Sequence, residues 1–315
     1  MDMKNQLFVS FITLSSVFIG CSTSTNNNQQ EESKIIYKTA DLINTDVPSI
    51  LKEDSLIQKH LATQFWKKFP FKDTTIVNSN FEEALSIYLN LLPQVSISTI
   101  DKAQQNLMNL AKEDSASYKK VFDQIEHYLY DPNSPYRNEE LFKPILENVL
   151  ASNLYSEDEK IRIQYLLDDI HKNEVGKKAA DFTYETIDKK VSSLYKIKSN
   201  YTVLFFNNPD CHTCAEIKKE LSQNPLIIEA IKKNKLKILA LYPDEDIQTW
   251  KKHIEDYPKT WINAYDPKLD IKNKELYNLR AIPCLYLLSA DKTVLLKDCT
   301  LQQLLYYLSN NINID

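Results

Sequence analysis

In the first half of the chain, apolar positions recur at helical spacing. Leu51, Ile57, Leu61 and Phe65 fall on one face of a predicted helix that Pro70 closes. A second helix is expected from Asn80, read as its cap, through Ala84, Ile87, Tyr88 and Leu91 to a stop at Pro93. Further helices fit residues 100–110, 118–129 and 139–150, with Asp131-Pro132-Asn133-Ser134-Pro135 as a rigid turn between the last two. A final helix opens with a capping box, Ser156 and Glu159, and buries Ile163, Leu166, Leu167 and Ile170. No internal repeat and no strand-period alternation interrupts this pattern. Residues 41–173 are therefore expected to form an all-α domain.

The pattern changes after Gly176. Residues 182–187 alternate at strand period, and Tyr201–Phe206 is a short apolar run of the kind a buried central strand needs. A helix over 211–221 and another over 226–233 follow, then a second buried strand over 236–242 and a helix over 247–254. Residues 281–288 and 293–297 flank a Ser-Ala-Asp-Lys turn as a hairpin, and a helix over 301–308 closes the chain. This order predicts an α/β domain over 174–315, one mixed sheet flanked by helices.

The first twenty residues read as an address. Lys4 provides a positive flank, and Leu7 to Ile19 are apolar but too few to span a bilayer as a stable helix. The run ends in Phe18-Ile19-Gly20-Cys21, which resembles a lipobox, so residues 1–20 are expected to be a lipoprotein signal and Cys21 the lipidated residue. An ordinary secretory signal, or an N-terminal anchor, with an incidental cysteine is the other reading. Ser22 to Gln30 are uniformly polar, and residues 21–40 read as a flexible tether.

Composition narrows the chemistry. The chain of 315 residues has two glycines, so no glycine-rich phosphate loop fits. A net charge of −5 with no basic stripe argues against nucleic acid as a partner. Besides Cys21, the cysteines are Cys211, Cys214, Cys284 and Cys299, all in the last third.

The chemistry concentrates at Cys211-His212-Thr213-Cys214, directly after the buried strand and opening a helix. Two cysteines three apart at a helix start lie on one turn, close enough to bridge. The positive helix end favours a thiolate at Cys211, which makes attack on another disulfide feasible. A protonated His212 would add to that effect, and Asp210 would oppose it. Cys211 at the tip is the expected nucleophile and Cys214, one turn inside, the resolving cysteine. Half a zinc site is the competing reading, and it lacks partners: there is no second C-x-x-C, and the five histidines are scattered. No metal and no cofactor are expected. A peroxidase motif is excluded too, because Pro209 and Thr213 would put Glu216 where its cysteine belongs.

With these residues in place, the chain resembles the exported TlpA/ResA-like group of thioredoxin-fold disulfide reductases. Gly176-Lys-Lys-Ala-Ala-Asp181-Phe182 is similar to the group's entry motif, C-H-T-C follows the central strand, and Ile282-Pro283 stands where the group has its cis-proline. The resemblance covers about residues 175–315 and implies that Ile282, Pro283, His212 and Thr213 meet the substrate, a protein or small-thiol disulfide. It also implies a membrane electron donor and a place in the cell envelope. Ser22 after the lipidated cysteine points, on the same resemblance, to the outer membrane, facing the periplasm. The surplus between Pro243 and Leu276 fits the extra helix and strand of the group. The helical half is similar to an uncharacterised domain that precedes such domains in lipoproteins of Bacteroides-like bacteria.

Departures from the group's pattern are Ala180 for a proline, Asp210 for a tryptophan, and Phe205 where a buried acid often serves as proton acceptor. Cys284 and Cys299 read either as two unpaired thiols, one packed in the core, or as a second, regulatory disulfide on one face of the hairpin. Two functions remain in view. One is a tethered thiol–disulfide oxidoreductase; the other is a partner-binding lipoprotein whose thioredoxin-like domain is mainly scaffold.

Overall fold

The computed structural model describes residues 37–313. The expected signal over 1–20, Cys21 and most of the expected tether lie outside the described residues. Among those described, no helix is long and apolar enough to cross a membrane.

Seven helices come first: α1 (Thr39–Leu42), α2 (Asp54–Gln64), α3 (Thr74–Leu91), α4 (Ile97–Ala111), α5 (Ser115–Tyr130), α6 (Glu139–Leu150) and α7 (Glu157–His171). Their apolar faces share one core, in which the rings of Phe65, Trp66, Phe81 and Tyr88 meet edge-on or tilted. The Ser156–Glu159 capping box opens α7 as expected. Asn80 is not a cap. Asp73 caps α3 instead, accepting from the amides of Thr75 and Ile76, so the helix starts seven residues earlier. The β-branched stretch that follows Asp73 is a poor helix former, but burying Ile76 and Val77 outweighs that preference. Asn80 is buried mid-helix and donates to the Tyr37 carbonyl and the Thr39 hydroxyl, each at 3.1 Å.

A seven-stranded mixed sheet follows. In chain order its elements are β1 (Thr183–Thr186), β2 (Val191–Ser193), β3 (Tyr201–Phe206), α8 (His212–Gln223), α9 (Pro225–Lys232), β4 (Leu236–Tyr242), α10 (Ile247–Lys252), β5 (Ile262–Tyr265), α11 (Asp270–Asn273), β6 (Cys284–Ser289), β7 (Val294–Leu296) and α12 (Leu301–Asn311). Spatially the strands run β2-β1-β5-β4-β3-β6-β7. Strand β3 pairs parallel with β4 and antiparallel with β6, bringing Phe206 opposite Cys284. The extra helix and strand expected between Pro243 and Leu276 are α10 and β5. Strand β2, of three residues, gave no pattern in the sequence.

Alternation along β3 sends Val203 and Phe205 to one face and Leu204 and Phe206 to the other. Helices α8, α9 and α12 cover the first face, and the entry segment with α11 covers the second. Each of these four side chains is fully buried, worth about 1.5–3 kcal/mol apiece. The same alternation corrects the expectation for the hairpin cysteines. Cys284 belongs to the second face and Cys299 to the first, with the Cys299 amide bonded to the Leu285 carbonyl at 3.0 Å. Both carry free thiols, and they do not share a face.

Gly176 opens the sheet-bearing half at φ +86°, a conformation a side chain would strain, and its amide reaches the Val294 carbonyl at 2.9 Å. Beside it, the nearly buried Glu174 carboxylate meets Lys143 at 2.9 Å, His171 at 2.6 Å and Lys177. Burial alone would raise its pKa. The bonds to Lys177, Lys143 and His171 win, holding it at about 2.

Candidate functional site

Strand β3 carries the chain to the end of the sheet, where Asn207-Asn208-Pro209-Asp210 turns it into α8. The Asn208 side chain accepts from the Asp210 amide at 3.0 Å, its carbonyl accepts from the Cys211 amide at 3.1 Å, and its Nδ2 donates to Asp244 at 2.9 Å. Helix α8 begins at His212, so Cys211 is the cap rather than the first helical residue. Its Sγ accepts the Cys214 amide at 3.2 Å. A sulfur thus stands where a serine or aspartate oxygen usually caps, aimed along the positive end of the helix.

Exposure separates the two thiols. Cys211 is half-buried and Cys214 only 3% exposed, packed with Phe205 and Leu221. Burial, followed by the adjacent Cys211, pushes the Cys214 thiol up to about 12, while the Asn208 amide pulls the other way. The Ile282–Pro283 peptide bond is cis, and the Ile282 carbonyl accepts from Cys211 Sγ at 3.7 Å. Cys211, Cys214, Ile282 and Pro283 therefore come together. His212 and Thr213 are on the same rim and exposed, with the His212 ring 3.7 Å from Glu216. Asp210 faces His253 at 3.6 Å, and His253 is bonded in turn to Asp256 at 2.8 Å.

Behind the pair, Phe205 fills the position of the missing acid. Two groups that the sequence did not single out lie there. The buried Tyr257 donates its hydroxyl to Oδ1 of the buried Asn207. Asn207 is oriented for this because its Nδ2 donates to the Phe205 carbonyl at 3.0 Å. Lys218 covers the Tyr257 ring at 4.5 Å. Burial raises the Tyr257 phenol, and the nearby Cys214, Asp256 and Cys211 add to the effect, so the polar group here is neutral. Nothing local marks a tyrosine before Pro258 as part of this site. Beside Ile282 lies a cleft of about 340 Å³ whose walls include Tyr165 of α7, Lys172 just after it, and Asp244 and Leu279 of the sheet half. Among the described residues, no group of three or more His, Cys, Asp or Glu side chains is placed to hold a metal ion.

A mixed sheet, a C-x-x-C at the start of the helix after its central strand, and a cis X-Pro loop against the first cysteine define the thioredoxin-like class. Residues 199–294 match a family model described as thioredoxin-like, and residues 20–173 match a domain of unknown function, DUF5106. The chain is 40% identical to a thioredoxin-like protein from Bacteroides caccae of known crystal structure, with a TM-score of 0.81. That match covers 85% of this chain and 97% of the other. The C-terminal domain of an uncharacterized Bacteroides fragilis protein is 51% identical, covering 44% of this chain and 99% of that domain at a TM-score of 0.43. The thioredoxin domain of a thiol-disulfide oxidoreductase from Bacteroides vulgatus is 22% identical, covering 44% and 99% at 0.40. No curated protein matches. On the first of these likenesses, the chain belongs to the thioredoxin-like family.

Proposed function

We propose that this protein is a membrane-tethered thiol–disulfide oxidoreductase of the cell envelope, acting as a TlpA-like disulfide reductase through Cys211 and Cys214. The observation that carries the reading is the asymmetry of the pair: an accessible Cys211 thiol at a helix N-terminus, facing Ile282, with a buried Cys214 thiol behind it. The Cys211 thiolate attacks one sulfur of a substrate disulfide, and the other sulfur leaves as a thiolate. Deprotonated Cys214 then attacks Cys211 Sγ, releasing the second substrate thiolate and leaving a Cys211–Cys214 disulfide. Two electrons pass to the substrate, a protein or small-thiol disulfide, and a membrane dithiol donor restores the pair.

Lipidation at Cys21 would hold the chain to the outer membrane on its periplasmic side, and Cys21→Ser would then release it into the soluble fraction. The main test is the reduction potential of the pair, measured by equilibration with glutathione and dithiothreitol buffers. A value near that of thioredoxin, about −270 mV, supports the reductase, and one near −120 mV reverses the direction of electron flow. A pair that never cycles leaves the partner-binding lipoprotein.

A further inference from the structure

The loop that ends in Ile282-Pro283 is gripped from the helical half. Tyr130, the last residue of α5, accepts a hydrogen bond on its carbonyl from the Arg280 guanidinium, which also lies 4.0 Å above the Tyr130 ring. The Tyr130 hydroxyl accepts from Asn278 Nδ2 at 3.1 Å. Arg280 is 10% exposed and reaches Asp298 at 2.7 Å and Glu139, at the start of α6, at 3.3 Å. Lys297, beyond β7, pairs with Glu139 at 2.6 Å and donates to the Ile170 carbonyl at the end of α7 at 2.7 Å. The ends of α5 and α6 thus meet on the segment that brings the Ile282 carbonyl to Cys211, and the end of α7 joins them through Lys297.

Arginine suits the position because its planar fork bonds a carbonyl and two carboxylates while its face stacks on a ring, and lysine cannot do all of these. The contacts are mostly buried, where a polar partner left alone is costly. Such a loop is held in one place. By contrast, among the described residues the Cys211 thiol is hydrogen-bonded to Cys214 and Ile282, both in the sheet half.

We infer that the helical half is a clamp for the substrate-facing loop, with Arg280 as the positioning residue that keeps Ile282 and Pro283 in register with Cys211. This rests on the reading of Cys211 as the attacking thiol. The clamp acts chiefly on how a disulfide is presented to Cys211, whose thiol is held mainly by its place as the cap of α8.

The test uses the full chain with Arg280→Gln, Arg280→Lys and Tyr130→Leu. Turnover of insulin disulfides should fall in kcat/KM by about tenfold for Arg280→Gln and Tyr130→Leu, chiefly through KM. Arg280→Lys should recover part of the loss. Alkylation of Cys211 by iodoacetamide should keep its wild-type rate. Chymotrypsin should cut near Tyr277 and Leu279 faster in the two weakened variants. Unchanged turnover, an uncut loop, or alkylation falling in step with turnover would each overturn the inference. A wild type that turns over no disulfide defeats the reading of Cys211 instead, and the proteolysis then decides the clamp alone.

Discussion

Cys211 and Ile282 stand 71 residues apart in sequence, yet the thiol of one lies 3.7 Å from the carbonyl oxygen of the other. Strand pairing produces this meeting, because β3 and β6 run antiparallel with Phe206 opposite Cys284. The residues that follow β3 and those that precede β6 must then emerge at the same end of the sheet. An extended substrate laid along Ile282 would have its disulfide within reach of Cys211.

Replacing each cysteine separates the two half-reactions. Cys214→Ser is expected to accumulate a mixed disulfide with substrate, seen by mass spectrometry under non-reducing conditions. Cys211→Ser should form none and should lose turnover completely. Equal trapping by both variants would contradict the assignment of roles.

Labelling should follow burial. At pH 8 in the native protein, iodoacetamide is expected to modify Cys211 and to spare Cys214, Cys284 and Cys299, all of which react once urea unfolds the chain. Burial raises Cys214 from 9.0 to about 12 and Cys299 likewise to about 12. A raised thiol pKa stabilises the fold fully below pH 9, and that contribution is lost as pH climbs from 9 towards 12. Urea midpoints should accordingly fall over that alkaline range, and less steeply in Cys299→Ser.

Glu174 predicts acid sensitivity of opposite sign. Its pKa is depressed from 4.5 to about 2, so its contribution is present above pH 4.5 and disappears as pH falls towards 2. Glu174→Gln should cost about 2–3 kcal/mol at pH 7 and much less at pH 2.5, read from urea denaturation at the two pH values.

Tyr257→Phe leaves the Asn207 carbonyl oxygen without its donor in a buried place. A loss of about 1–3 kcal/mol in unfolding free energy is expected, with Cys211 alkylation unchanged. A neutral substitution would mean that water replaces the phenol.

Oxidised protein should retain two free thiols, at Cys284 and Cys299, because their side chains pack into different apolar clusters. Thiol titration after diamide treatment, with peptide mapping, checks this. A Cys284–Cys299 peptide would revive the regulatory disulfide.

What could be read from the sequence was whatever repeats locally. Tyr201–Phe206 and Leu236–Tyr242 are strands because mostly apolar runs suit a sheet covered on both faces, and their ends match the structure. Glu139–Leu150 was bounded correctly by its apolar spacing. Asn80 misled because a polar residue before an apolar periodicity looks like a cap, although Asp73 had already supplied one. The meeting of C-H-T-C with Ile282-Pro283 could be anticipated since both lie beside strong strands. Tyr257, Arg280 and Glu139 could not, since each is a single side chain whose partner lies far off in sequence.

At the junction between the halves, Arg280, Lys297, Glu139, Asp298 and the last carbonyls of α7 form a charged network. Greasy surfaces tolerate sliding, whereas a charged mosaic works like the teeth of a key. Turning the helices by a few degrees would leave Glu139, Arg280 and Lys297 buried without their partners, so wrong alignments are penalised more than the right one is rewarded. In evolutionary terms, a thioredoxin-like half that has acquired such teeth is no longer an interchangeable module: it can be inherited with its helical companion, but not readily regrafted onto another.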